Sequence, residues 1–215
     1  MKLCIIGSSF APKTFRKVWP QLGFIIVSKP EDADLVFVSQ DTKISPNGRR
    51  EQASISKLVR NVYSKIDVPL VLTSQVEPGF TRSLGLPIYH MAETLRINDA
   101  AYRARHPDYI VIGGPDPCPF QIISFAANFS ARLILCDWEE AEFSKIAVIM
   151  TLAAQVENTN RLAKAAKKIG ADWNKVTEII GNDKRISHHS YLQPGNWKKS
   201  KHLLRDYYTL NQING

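Results

Sequence analysis

Short apolar runs alternate with segments of helical spacing through the first 137 residues, and no other feature constrains the fold as tightly. Leu3–Ile6 is apolar, "GSSFAP" breaks the run, and Phe15, Val18, Trp19 and Leu22 then recur at helical intervals up to Gly23. Phe24–Val27 reads as a second buried strand and "ADLVFVSQ" as a third. "REQASISKLVRNVYSKI" follows as an amphipathic helix with Ile55, Leu58, Val59 and Val62 on one face, leading into the strand "PLVLTSQ". Further on, "FQIISFAANFS" reads as a helix between the strands "YIVIGG" and "RLILCD". Strands that alternate with helices predict a mostly parallel sheet covered on both faces.

The pattern changes at Asp137. From Glu139 to Lys168 there is neither proline nor glycine, and Ala, Leu, Val and Lys dominate, which predicts one long helix closed by Gly170. Ile146, Ile149, Met150, Ala153, Ala154 and Val156 give it an apolar surface wide enough to bury on more than one side. A short second helix starts at Asp172. The expected fold is therefore α/β: a reduced Rossmann-like parallel sheet over residues 1–137, then a small all-α domain over 138–215 built on the long helix. A hydrophobic fraction of 44% and a charged fraction of 22% supply an ordinary globular core.

Several function classes are set aside by the same reading. Apolar runs such as Ile110–Ile112 and Ala131–Cys136 are far too short to span a bilayer, and "MKLCIIG" reads as a first strand and not as a signal peptide. Cys4, Cys118 and Cys136 are odd in number and lack metal-ligand spacing, so a reducing cytoplasm and no metal site are expected. The net charge of +8 is spread along the chain with a local excess over Lys198–Arg205. Without interleaved aromatics that excess reads as solvated surface, and nucleic acid is not an expected partner.

The turn after the first strand is the place to look for a dinucleotide. A G-x-G-x-x-G loop uses its glycines for a tight turn and for close backbone approach to a pyrophosphate. Here the stretch is Gly7-Ser8-Ser9-Phe10-Ala11-Pro12, with one glycine, and Pro12 removes a backbone donor. Gly7, Ser8, Ser9 and Phe10 are the candidate cofactor-binding residues, with the two hydroxyls as donors at a helix start. The second strand runs into Ser28 and Lys29, where an acidic partner for a ribose would be sought.

Four later stretches, "TSQVEPGFTRSL", "AETLRINDAAYRARHPDYIVIGG", "AEFSKIAVIMTLAAQVENTNRLA" and "GNDKRISHHSYLQPG", together resemble the UDP-glucose/GDP-mannose dehydrogenase family in order and spacing. The resemblance implies oxidation of a sugar C6 alcohol to a carboxylate with two NAD molecules. A cysteine would capture the aldehyde and leave as a thiolate when the thioester is hydrolysed. It places Glu93, Lys145, His202 and Asp206 at catalytic positions, and Gln75, Lys199 and Arg205 at substrate-binding ones. His202 stands where the family has its cysteine, and imidazole is not expected to form the thioester. Gln75 replaces a threonine, Ile149 an asparagine, and Lys199-Ser200 a glycine pair.

The resemblance also implies a homodimer through the long helix and a nucleotide-sugar ligand, and it covers about half of a typical family member, without the second Rossmann-like domain. NAD is implied as cofactor, weakened by the single glycine and the absent ribose-binding acid. Glu142 reads as an ordinary charge on an exposed helix edge. The expected function is that of a divergent relative that binds a nucleotide or nucleotide sugar without the full oxidation. Two alternatives stand beside it: a non-catalytic interaction or regulatory protein on a dimer scaffold, and polyanion binding through the basic loop 198–205.

Overall fold

The computed structural model describes residues 1–215 apart from residues 46–48, 94 and 188 and the side chains of Lys201 and His202. The chain forms two compact units, Met1–Lys145 and Ile146–Gly215. In the first, strands β1 (Lys2–Ile6), β2 (Ile25–Val27), β3 (Leu35–Val38), β4 (Leu70–Leu72), β5 (Tyr89–Met91), β6 (Tyr109–Gly113) and β7 (Arg132–Cys136) make one sheet in the order β2-β1-β3-β4-β5-β6-β7. All neighbours are parallel except β5 and β6. The winding reverses between β1 and β3, a doubly wound arrangement in which crossover helices lie on the sheet's faces.

Helices α1 (Phe10–Val18), α2 (Ala53–Tyr63), α3 (Phe80–Ser83), α4 (Ala100–Arg105) and α5 (Phe120–Ala126) connect the strands. Side-chain alternation along β1 and β3 sends Leu3, Ile5, Leu35 and Phe37 to one core, and Cys4, Val36 and Val38 to the other. The first core is aromatic. Trp19 stacks on Phe15 at 4.2 Å between ring centroids and meets Phe37 and Phe125 at 5.0 Å, and its indole N–H donates to the Ala104 carbonyl at 3.1 Å. The second core seats α2 through Ile55, Val59 and Val62.

Two strands depart from the expectation. β2 is an edge strand and Ile25 is largely exposed, so the run at 24–27 is not fully buried: with nothing paired beyond it, only its inner neighbours cover it. β5 has three residues, too few for a periodic signal, and is antiparallel to β6.

Helix α6 (Trp138–Lys168) opens in the first unit and continues through the second, where α7 (Trp173–Gly181) and α8 (Lys201–Ile213) follow. Gly170 has φ +75, the left-handed conformation that ends a helix at least cost for glycine, and the Asp172 side chain accepts from the Asn174 amide to start α7. The segment after α7 is strapped to α6 by side chains of that helix. Asn160 and Gly195 exchange two hydrogen bonds, at 2.9 and 2.7 Å, and the Thr159 hydroxyl donates to the Tyr191 carbonyl at 2.7 Å. The Trp197 indole N–H donates to Glu157 at 3.0 Å.

Candidate functional site

The carboxyl ends of β4 and β5 and the first turns of α6 enclose a small hollow in the first unit. Thr73, Ser74 and Gln75 follow β4, His90 comes from β5, Ala92 and Glu93 lie just beyond it, and Glu142 and Lys145 come from α6. The hollow has room for about one water-sized group, about 10 Å³. Bare backbone at Gly113 lets α6 approach this closely: a Cβ there would lie 2.6 Å from both Ala141 Cβ and the Asp137 carbonyl. The Trp138 indole N–H, donating to the Ile88 carbonyl at 2.8 Å, fixes the start of the helix. Arg82 adds a bidentate contact to Glu139 at 2.6 and 2.8 Å. Glu142 and Lys145, three residues apart, then fall on one helical face.

Glu142 is 2% exposed, and the expectation of an exposed helix-edge charge is corrected. Its two oxygens accept from the amides of Gly79 at 2.5 Å and Thr81 at 2.8 Å, donors that a four-residue helix like α3 cannot satisfy internally. Burial pushes its carboxyl above the usual carboxylate range, and the donors at Thr81 and Gly79 work against that rise.

Glu93 and Lys145, both expected from the sequence, are brought together. The Lys145 ammonium donates to the Glu93 main-chain carbonyl and lies 3.9 Å from its carboxylate, which in turn accepts from the Leu95 amide. Their side chains are 16% and 22% exposed, so the pair is shielded from bulk water without being sealed off. Gln75 lines the same hollow, and its carbonyl accepts from the Thr42 hydroxyl at 3.0 Å.

His90 belongs to this group and sequence reasoning missed it. It is 3% exposed, its Nδ1 has no hydrogen-bond partner among the described residues, and burial pulls its pKa down to about 3, so the imidazole is neutral. The available signal was a polar residue inside the otherwise apolar run from Ile88 to Met91.

The turn after β1 is shaped differently from a glycine-rich cradle. Gly7 has φ +130, and a Cβ on it would sit 1.8 Å from the Ser39 carbonyl oxygen, so the glycine is required by the approach of the β3 end. The space that glycine leaves open is thus filled by the protein's own backbone. Arg16 reaches back along α1 and donates to the Gly7 and Ile5 carbonyls at 2.5 and 2.8 Å. Ser9 caps α1 without a side-chain hydrogen bond, and Ser8 and Phe10 are exposed beside it. These residues do not fit a pyrophosphate held by bare glycine backbone; Ser8, Ser9 and the amides of Phe10 and Ala11 are the donors on offer.

The remaining candidates lie in the second unit. Lys199 is exposed in a 3-10 turn, but the basic stretch is not a loop throughout, because Ser200 caps α8 by accepting from the Leu203 amide. Arg205 and Asp206 are therefore helical, 7% and 1% exposed, and Arg205 is no part of a basic surface. The side chain of His202 lies outside the described residues. Among the described residues no cluster of three or more His, Cys, Asp and Glu could hold a metal, all three cysteines are free, and no helix is long and apolar enough to cross a membrane.

Residues 139–213 match the family model for the UDP-glucose/GDP-mannose dehydrogenase family, central domain. UDP-glucose 6-dehydrogenase YwqF of Bacillus subtilis is 28% identical over 169 residues, covering 72% of this chain and 38% of the relative. UDP-glucose 6-dehydrogenase of Rickettsia conorii is 24% identical, covering 85% of this chain and 45% of the relative. The chain thus spans less than half the length of these curated relatives. Among solved structures, a UDP-glucose dehydrogenase from Pyrobaculum islandicum shares the fold with a TM-score of 0.77 at 20% identity, over 99% of this chain and 63% of that one. A GDP-mannose dehydrogenase from Pseudomonas aeruginosa gives 0.66 at 21%, over 90% and 52%. Residues 139–213 thus carry the pattern of that family's central domain, and over 72–85% of its length the chain is similar to UDP-glucose 6-dehydrogenases.

Proposed function

We propose that this protein binds a nucleotide-linked sugar at the Glu93–Lys145 hollow and does not carry out the complete oxidation of a sugar C6 alcohol to a carboxylate. The observation that carries the reading is the Lys145–Glu93 contact: two residues 52 positions apart, both named by the family pattern, meet in a shielded hollow. An ammonium held there favours an oxygen with developing negative charge, and a carboxylate beside it can accept a hydroxyl proton. The missing half of the chemistry is the nucleophile. His202 occupies the cysteine position of the motif, and Cys4, Cys118 and Cys136 have pKa values raised by burial, which keeps them as thiols.

NAD is the cofactor implied by the family pattern, and its binding is read as weak. Ser8, Ser9, Phe10 and Gly7 offer it hydroxyls and amides without the open glycine backbone. Calorimetry with NAD, NADP and a panel of UDP- and GDP-sugars tests the reading, alongside an assay for sugar-acid formation from UDP-glucose and NAD. Binding of a sugar nucleotide without acid formation supports it. Silence across the panel overturns the binding, and turnover to the acid overturns the loss of oxidation.

A second reading concerns assembly. Val148, Leu162 and Ile169 of the α6 region are 41%, 42% and 81% exposed, which favours a homodimer in which a second copy covers the long helix. The cytoplasmic assignment rests on the free cysteines alone. A stable monomer by light scattering at micromolar concentration would count against the dimer.

A further inference from the structure

β5 sends Tyr89 and Met91 into the aromatic core and His90 to the opposite face, beneath the start of α6. Its neighbours in register are Leu72 on β4 and Gly113 on β6, one apolar and one without a side chain, so packing alone gives no reason for a polar ring at this point. The imidazole is nevertheless 3% exposed with Nδ1 unpartnered among the described residues, a desolvation cost that an apolar residue of similar volume would avoid. The hollow it lines is the one that Glu93 and Lys145 line, and that hollow admits one water-sized group.

We infer that His90 is a ligand-contacting residue whose Nδ1 forms a hydrogen bond with a single hydroxyl of the sugar held at the Glu93–Lys145 hollow. The inference rests on the nucleotide-sugar reading above and adds to it the position that reads one hydroxyl. A neutral imidazole is well matched to a hydroxyl, because one ring nitrogen carries a proton and the other a lone pair, while a sugar hydroxyl both donates and accepts. The size of the hollow sets the selectivity, since an oxygen fits where a larger substituent would have to displace α6 or β5.

The test uses the full chain with ¹⁵N-labelled histidine. Ring nitrogen resonances are followed by NMR during titration with UDP-glucose and, separately, GDP-mannose, and Kd is measured for wild type, His90→Phe and His90→Asn. Binding of one sugar nucleotide should shift the His90 Nδ1 resonance. His90→Phe should weaken binding about tenfold, the loss of one hydrogen bond, while His90→Asn, which keeps a polar atom near Nδ1, should stay within about threefold. Amide spectra report whether each variant folds, and the wild-type titration decides the matter should His90→Phe fail to fold. Binding that leaves the His90 nitrogens unmoved, or an unchanged Kd in a folded His90→Phe, overturns the role of His90 and leaves the nucleotide-sugar reading intact. Absence of binding by either sugar nucleotide to the wild type overturns both.

Discussion

Lys145 holds Glu93 at two points, donating to its main-chain carbonyl and standing 3.9 Å from its carboxylate, so one ammonium fixes both the backbone and the side chain of the residue beyond β5. Lys145→Met keeps the length of the side chain and removes its charge. The Glu93 carbonyl then loses its donor, and the expected loss of stability is about 1–2 kcal/mol. Urea denaturation of the two proteins measures it; an unchanged midpoint would show that the contact is not formed in solution.

Glu142 should behave as a structural carboxylate. Glu142→Gln leaves one acceptor for two amides and turns an NH₂ toward the other, at a cost of about 1–3 kcal/mol. The pH dependence carries its own sign. Burial raises the folded-state pKa above the ordinary 4.5, so the folded chain binds this proton more readily than the unfolded one. The group's contribution is fully present below the ordinary value and is lost as pH rises through the raised one. Urea titrations at a series of pH values should show that downward slope in the wild type and a flatter one in Glu142→Gln.

Gly7 and Gly23 separate two reasons for glycine. Both have positive φ, at +130 and +87, but a Cβ on Gly7 meets the Ser39 carbonyl at 1.8 Å while Gly23 faces open space. Gly23→Ala should cost about 1 kcal/mol for conformation alone. Gly7→Ala must also part β1 from β3, and the expected loss exceeds about 3 kcal/mol, seen as insoluble or unfolded protein. Similar thermal midpoints for the two variants would contradict the close approach.

In the second unit Asn160 acts as a clasp for the Pro194-Gly195 turn, exchanging hydrogen bonds with both polar groups of Gly195. Asn160→Ala should lower stability by about 1–2 kcal/mol and speed amide exchange at Gly195. Exchange at Gly195 that stays at the wild-type rate would show that the turn is held by other contacts.

The alternation of apolar runs and amphipathic segments made the sheet and the long helix legible, because β3, β4 and β6 are buried on both faces and read as unbroken apolar stretches. β5 was not legible, since Tyr89, His90 and Met91 are too few to show a period and their burial comes from α6 and the neighbouring strands. Glu142 follows Ala141, which packs on the bare Cα of Gly113, a contact between residues 28 positions apart that no local pattern encodes. Residues 198–205 read as a basic loop because lysines crowd them, while the deciding signal is the modest one of Ser200 as a helix cap. Motif spacing named Glu93 and Lys145; their proximity came from the way α6 is seated.

The most direct test of sugar-nucleotide binding at the Glu93–Lys145 hollow is titration calorimetry of UDP-glucose into the wild type and Lys145→Met under identical conditions. Saturable binding to the wild type is expected, with an affinity about tenfold lower in the variant, the loss of one charge-assisted contact. No heat of binding to the wild type, or equal affinity in a folded Lys145→Met, would contradict it.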